Sequence, residues 1–304
     1  MDFGRLRSAL NGVLAFSPTF FDTGGELDLD ALARHVDRLA DGGVCGVVVA
    51  GGVGEFYALD DGELRELVAV AVDAAAGRIP VLAGVGHATD RAARQARLAA
   101  GAGAAGLMVN PFYFIRPEPA GIIEHCRRLG EAGGLGLMMF STRDAVYDVP
   151  ALQALSEVDA VVAVKDEFGD LDLFAECVRQ LGDRYVWVNG MAEIPAVEYA
   201  ARGAVVMTSG IVNLDPALAL RIWDAAERGD ADTHGRLMAE RVAPIAELRT
   251  ARPGYHITVI KEALSLLGTG TATVRLPLVP LRPDEREALR EHLTRTGFPD
   301  RTAA

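Results

Sequence analysis

Lysine is nearly absent from this chain. Lys and Arg together number 30, and only Lys165 and Lys261 are lysines, which leaves 28 arginines. Arginine stays protonated in proteins, whereas lysine can lose its proton and attack a carbonyl carbon. A chain that uses arginine for almost every ordinary positive charge directs attention to the two lysines it keeps. Basic charge is also in deficit, with a net charge of −12 and a pI near 5.0. No basic patch stands out, which argues against nucleic-acid binding. An acidic substrate would have to be held by local donors rather than by the overall field. Cysteine is scarce: Cys45, Cys126 and Cys177 are odd in number and widely spaced. They form neither a metal-ligand pattern nor a disulfide framework, so reduced core thiols are expected, with a reactive thiol as the alternative. No run of about 18 apolar residues occurs, so no membrane span is expected. The opening residues MDFGRLRSAL lack the apolar stretch of a signal peptide, and a cytoplasmic location is expected.

Hydrophobic residues, in contrast, make up half of the 304 residues, enough for one large core. Short apolar runs alternate with amphipathic stretches. The runs read as strands over Val13–Ser17, Gly46–Ala50, Val81–Val85, Gly106–Asn110, Gly136–Ser141, Ala160–Lys165, Tyr185–Asn189 and Ala204–Ser209. Between them, Leu29–Ala40, Asp61–Ala76 and Asp90–Ala102 read as helices. Strands that are almost wholly apolar fit a parallel sheet covered on both faces. Eight right-handed βα units can close a ring, so the expected fold is α/β, a (β/α)8 TIM barrel; an open doubly wound sheet is the alternative. The pattern then turns helical over Ala217–Arg228, Thr233–Arg249, Thr258–Leu267 and Pro283–Thr294, interrupted at Arg252-Pro253-Gly254. Residues 1–224 are read as the barrel and 225–304 as a helical extension of the same unit.

In a barrel of this kind the C-terminal ends of the strands build the active site. Lys165 ends the sixth apolar run and by alternation can face the barrel mouth. Apolar walls there would lower its pKa and free the amine; pairing with Asp166 or another carboxylate is the competing reading. Gly51-Gly52-Val53-Gly54-Glu55-Phe56 follows the second strand, where backbone N–H groups can approach a carboxylate or phosphate; a plain tight turn is the alternative. It is not a Walker A loop, since no Lys-Ser/Thr follows. Tyr113, after Asn110-Pro111-Phe112, can carry a proton or pack. Phe140, Ser141, Thr142 and Arg143 end the fifth strand, where the hydroxyls and a forked Arg could hold a carboxylate. Thr208, Ser209 and Gly210 end the eighth. His87 stands at the end of the third, with packing as its more ordinary role. No His/Cys/Asp spacing suits a metal site.

These residues, in this order, resemble the dihydrodipicolinate synthase/N-acetylneuraminate lyase superfamily from Phe16 to about Pro277. Ala50–Phe56 (AGGVGEF), Ala83–Gly86 (AGVG) and Val164-Lys165-Asp166 carry the likeness. The nearest branch is similar to 5-dehydro-4-deoxyglucarate dehydratase, on K-D-x-x-G-D at Lys165–Asp170 and R-P-G-Y at Arg252–Tyr255. The resemblance implies a Schiff-base lyase with Lys165 as nucleophile, acting on a 2-oxo acid and needing no cofactor or metal. It places Gly52, Val53 and Ser209 near the substrate carboxylate. It also implies a homo-oligomer, a tetramer or dimer, with Tyr113 near a neighbouring subunit's site. Two departures stand out. The family's Tyr at the end of the fifth strand is Phe140 here, and its loop Thr is Val53, so both hydroxyls of the usual proton relay are missing. Tyr113, then Ser141, then His87 are the candidate replacements. A divergent pyruvate-dependent aldolase or condensing enzyme, and a catalytically silent barrel that binds a 2-oxo acid, remain as alternatives.

Overall fold

The computed structural model describes residues 3–112 and 115–299. Its eight strands are β1 (Gly12–Phe16), β2 (Gly46–Val49), β3 (Val81–Val85), β4 (Gly106–Val109), β5 (Gly136–Ser141), β6 (Val161–Asp166), β7 (Val186–Asn189) and β8 (Val206–Ser209). All pair in parallel in sequence order, and β8 returns to β1 with Gly12 opposite Val206 and Ala15 opposite Ser209. That last ladder closes the ring and excludes the open sheet. Each strand read from the sequence is present: β3 and β5 match at both ends, β2, β4, β7 and β8 are shorter by one or two residues, and β1 and β6 are shifted by one.

The strands are apolar because they are buried on both sides. Leu14, Val48, Leu82, Met108, Met138, Val162, Val188 and Val206 fill the barrel interior. The alternate residues, among them Val13, Val47, Leu107 and Leu137, meet the surrounding helices. Those helices begin with α1 (Gly4–Ala9), whose Leu6 joins the interior cluster, and continue with α2 (Leu29–Asp41), α3 (Asp61–Ala75), α4 (Thr89–Gly101) and α5 (Pro119–Gly133). Then come α6 (Val149–Leu155), α7 (Leu171–Leu181), α8 (Ala196–Ala200) and α9 (Pro216–Glu227). Asp28, Asp60, Asp148, Asp170 and Asp215 each cap a helix by accepting backbone N–H groups in its first turn.

The extension departs from its expected outline in one place. Thr233–Arg249 is not one regular helix but α10 (Ala231–Leu237), a π-helical turn at Met238–Val242, and α11 (Ala243–Thr250). Pro244 explains the wide turn. It has no N–H for the regular ladder, and its ring would strike the carbonyl four residues back. After Gly254, whose φ of +84° a side chain would strain, α12 (Tyr255–Leu266) begins, and α13 (Pro283–Arg295) ends the fold. Helix α12 is buried almost all round, including Lys261 and Glu262. Val259, Ile260, Ala263 and Leu264 belong to the same hydrophobic cluster as the outer faces of the strands. Among the described residues no helix is long and apolar enough to cross a membrane. Burial pushes the Cys45 and Cys126 thiols up to about 12 and Cys177 to about 11, so none is a ready thiolate.

Candidate active site

Strand β6 delivers two charged residues in succession, and alternation sends them in opposite directions. Asp166 faces outward, where its Oδ2 accepts a hydrogen bond from the Tyr199 hydroxyl at 2.5 Å and one from the Gly169 N–H at 3.3 Å. Lys165 faces the barrel mouth beside Phe140 of β5 and is only 3% exposed. Its Nζ lies 3.5 Å from the centroid of the Phe140 ring and 5.4 Å from that of Phe16. It also donates to Glu167 Oε2 at 2.5 Å. Burial pulls the pKa of Lys165 below the ordinary lysine value, and the neighbouring Glu167 carboxylate opposes that shift. The two readings left open by the sequence are therefore both realised. The lysine is buried among rings, and it is paired, though with Glu167 rather than Asp166.

The glycine loop after β2 is held from below by the chain's other lysine. Ala50 and Glu55 take left-handed conformations, φ +53° and +52°, which fold the loop tightly. Glu55 turns inward and pairs with Lys261 Nζ of α12 at 2.6 Å, with both side chains fully buried. Its second oxygen accepts the Arg275 N–H at 2.9 Å, and the Phe21 ring lies 4.3 Å from Nζ. Thr19 Oγ1 donates to the Gly54 carbonyl at 2.6 Å. Above these anchors Gly52 is exposed, and Val53 packs against the interior cluster that includes Phe16. Val53 and Phe140 thus both belong to the apolar lining of the mouth, at positions where hydroxyls were expected by resemblance.

The remaining candidates are placed as follows. Ser141 adjoins Asp166 in register and turns away from Nζ; its buried Oγ accepts the Tyr147 N–H at 3.5 Å. Arg143 is exposed on a turn closed by Thr142 and Ala145. His87 stacks on Phe56 at 5.0 Å. Tyr113 lies outside the described residues. Ser209 Oγ donates to Glu193 Oε1 at 2.5 Å and accepts the Val212 N–H at 2.9 Å, which knits the ends of β7 and β8 together. Gly210 is covered by a residue that the sequence reading missed. A Cβ there would stand 2.8 Å from Nη1 of Arg249, at the end of α11. Arg249 Nε donates to the His256 carbonyl at 3.3 Å, and the His256 ring feels the charges of both Arg249 and Glu167. Glu167 was missed as well. Its signal was its place two residues after the lysine, whereas Arg249 was one arginine among 28. Among the described residues no group of His, Cys, Asp and Glu is arranged to hold a metal ion.

A buried amine with a carboxylate in contact, ring faces beside it and an arginine at the eighth strand end can form an imine with a 2-oxo acid and hold a second negative group. Known proteins resemble this chain over nearly its whole length. The dihydrodipicolinate synthetase family matches residues 9–296. The 5-dehydro-4-deoxyglucarate dehydratase of Pseudomonas putida is 31% identical over 96% of this chain and 98% of its own. Probable enzymes of the same name from Azotobacter vinelandii and Bacillus subtilis are 33% and 32% identical, over 96% and 98% of this chain and 98% and 99% of theirs. Among solved structures, dihydrodipicolinate synthase from Bacillus clausii superposes with a TM-score of 0.88 at 30% identity, covering 95% of this chain and 99% of that one.

Proposed function

The chain belongs to the dihydrodipicolinate synthetase family, and on that premise we propose that it is a Schiff-base lyase that dehydrates and decarboxylates 5-dehydro-4-deoxyglucarate. The observation that carries the reading is Lys165, an amine 3% exposed at the end of β6 whose charged form is disfavoured by burial. The neutral amine adds to the 2-oxo carbon, water leaves, and a protonated imine forms. In this substrate the carbon beside the oxo group is a CH2, and the next carbon carries a hydroxyl. Loss of a proton from the CH2 gives an enamine, which expels that hydroxyl as water. The far carboxylate then leaves as CO2, and its bonding pair flows through the new double bond into the imine. Reprotonation and hydrolysis return the amine and release a 2-oxo acid with a terminal aldehyde.

The loop after β2 serves the carboxylate next to the oxo group. The backbone N–H groups at Gly52 and Val53 are its donors, so the loss of the Thr hydroxyl leaves them in place. Arg249 over Gly210 serves the far carboxylate, and as a forked cation it suits a diacid better than a simple 2-oxo acid. Ser209 supports this wall through Glu193, and Phe140 faces the imine. We further propose a homo-oligomer in solution and a cytoplasmic location, both on family likeness.

Phe140 and Val53 favour a second reading, an aldolase or condensing enzyme for another 2-oxo acid, because they make the mouth more apolar than the family pattern. The separating experiment is a panel of 2-oxo acids with borohydride, read by intact mass, run beside an assay for released CO2. An adduct together with CO2 from 5-dehydro-4-deoxyglucarate supports the dehydratase. An adduct with no CO2 from that compound, and C–C bond formation with pyruvate, supports the second reading. No adduct with any member supports the silent barrel.

A further inference from the structure

Imine formation must carry two protons from the lysine nitrogen to the departing oxygen, and the mouth of this barrel lacks the hydroxyls expected to carry them. The Phe140 ring occupies the inward position beside Lys165 at 3.5 Å and can transfer no proton. Val53 has none to give. Ser141 directs its hydroxyl toward the Tyr147 backbone, and Asp166 is engaged outside the barrel by Tyr199. His87 is stacked on Phe56. Among the described residues one titratable side chain hydrogen-bonds Nζ, and that is Glu167, at 2.5 Å.

We propose that Glu167 is the proton carrier of the Schiff-base cycle, in place of the missing hydroxyls. The proposal rests on the imine chemistry set out above and assigns its acid–base group. Three features suit the residue to the task. The Glu167 N–H donates to the Ser141 carbonyl at 2.8 Å, which pins its backbone to the end of β5. Its side chain is 45% exposed while that of Lys165 is 4%, so the carboxylate can exchange protons with solvent and the amine cannot do so directly. Its carboxylate is in direct hydrogen-bond contact with Nζ, so a proton can pass between them with no intervening group.

The steps balance. The Glu167 carboxylate takes a proton from the Lys165 ammonium, and the freed lone pair attacks the 2-oxo carbon. The resulting alkoxide takes the proton back from Glu167. The carboxylate then takes a second proton from the nitrogen and delivers it to the same oxygen. Water leaves as the nitrogen lone pair forms the C=N bond. Two protons have moved from nitrogen to oxygen, one at a time, and Glu167 ends as the carboxylate it began.

The test is the rate of borohydride-trapped adduct formation at saturating 5-dehydro-4-deoxyglucarate, for wild type, Glu167→Gln and Glu167→Ala. Both variants are expected to be slower by about 10²–10⁴-fold, the usual worth of a positioned acid–base group. Added formate should restore rate to Glu167→Ala, because a small carboxylate fits the space vacated. Phe140→Tyr placed in the Glu167→Gln chain should also recover rate, since it returns a hydroxyl beside Nζ. The proposal is overturned by variants that form adduct within a few-fold of wild type, or by a slow Glu167→Ala that formate leaves unchanged, which would mark a positioning role. Rescue is read as a ratio with and without formate on the same sample, so a less stable variant still gives an answer. A wild type that forms no adduct would sink the imine reading itself, and this assignment with it. An adduct in the wild type with no dependence on Glu167 sinks only the assignment.

Discussion

Two lysines, each paired with a glutamate, sit in different parts of the molecule. Lys165 meets Glu167 at 2.5 Å in the barrel mouth, and Lys261 meets Glu55 at 2.6 Å beneath the glycine loop. Both lie near aromatic rings, and burial draws both pKa values down while the partner carboxylate draws them up. Burial and a shifted pKa therefore do not separate reactive from structural lysine. Access does. Glu55 is fully buried, and its second oxygen is taken by the Arg275 N–H, so the pair is closed to substrate and solvent. Glu167 opens onto solvent with its side chain 45% exposed. The closed pair anchors the loop after β2, to which the proposed chemistry assigns the substrate carboxylate.

The comparison can be broken at either end. The largest effect is expected at Lys165→Arg, which keeps the positive charge but removes the amine that can attack. Turnover and adduct formation should both fall to background, while the unfolding midpoint in urea stays near that of the wild type. Residual turnover above background would break the assignment of Lys165. Lys261→Met leaves Glu55 buried without its partner and should cost about 3–5 kcal/mol of stability. Urea denaturation measures it, and pairing the change with Glu55→Gln should recover part of the loss. If Lys261→Met unfolds like the wild type, the closed pair is not a structural anchor.

A smaller effect sharpens the substrate assignment. Arg249→Ala removes a charged hydrogen-bond partner worth about 1.5–3 kcal/mol, and so should raise KM for 5-dehydro-4-deoxyglucarate by roughly 10–150-fold. Pyruvate, with no second carboxylate, should still form its adduct at close to the wild-type concentration dependence. Equal losses for both compounds would contradict a role at the far carboxylate. The smallest effect is expected when the family pattern is restored by Phe140→Tyr with Val53→Thr in the otherwise native chain. With Glu167 present, turnover should change by well under the roughly 10²-fold that a new acid–base group can supply. A gain of that size would mean that the native mouth lacks an effective proton carrier.

The barrel was legible because its strands are buried on both faces and so stand out as unbroken apolar runs. The break in Thr233–Arg249 has its own mark in the sequence, Pro244, whose missing N–H forces the wide turn. Lys165 was legible for a compositional reason, since a chain so poor in lysine made it conspicuous. The Glu55–Lys261 pair joins residues 206 positions apart, and no local pattern announces a contact of that kind. Glu167 occupies one of the unspecified positions of K-D-x-x-G-D, so the likeness that found the lysine passed over its partner. Arg249 reaches Gly210 from the helical extension, which no barrel-strand reasoning surveys.

The most direct test of the account is to map where a 2-oxo acid becomes attached. Borohydride reduction in the presence of 5-dehydro-4-deoxyglucarate, followed by digestion and peptide mass analysis, should place a single adduct on the peptide that contains Lys165 and leave Lys261 unmodified. An adduct on Lys261, or none on either lysine under conditions of turnover, would contradict the claim that the open pair is the reactive one.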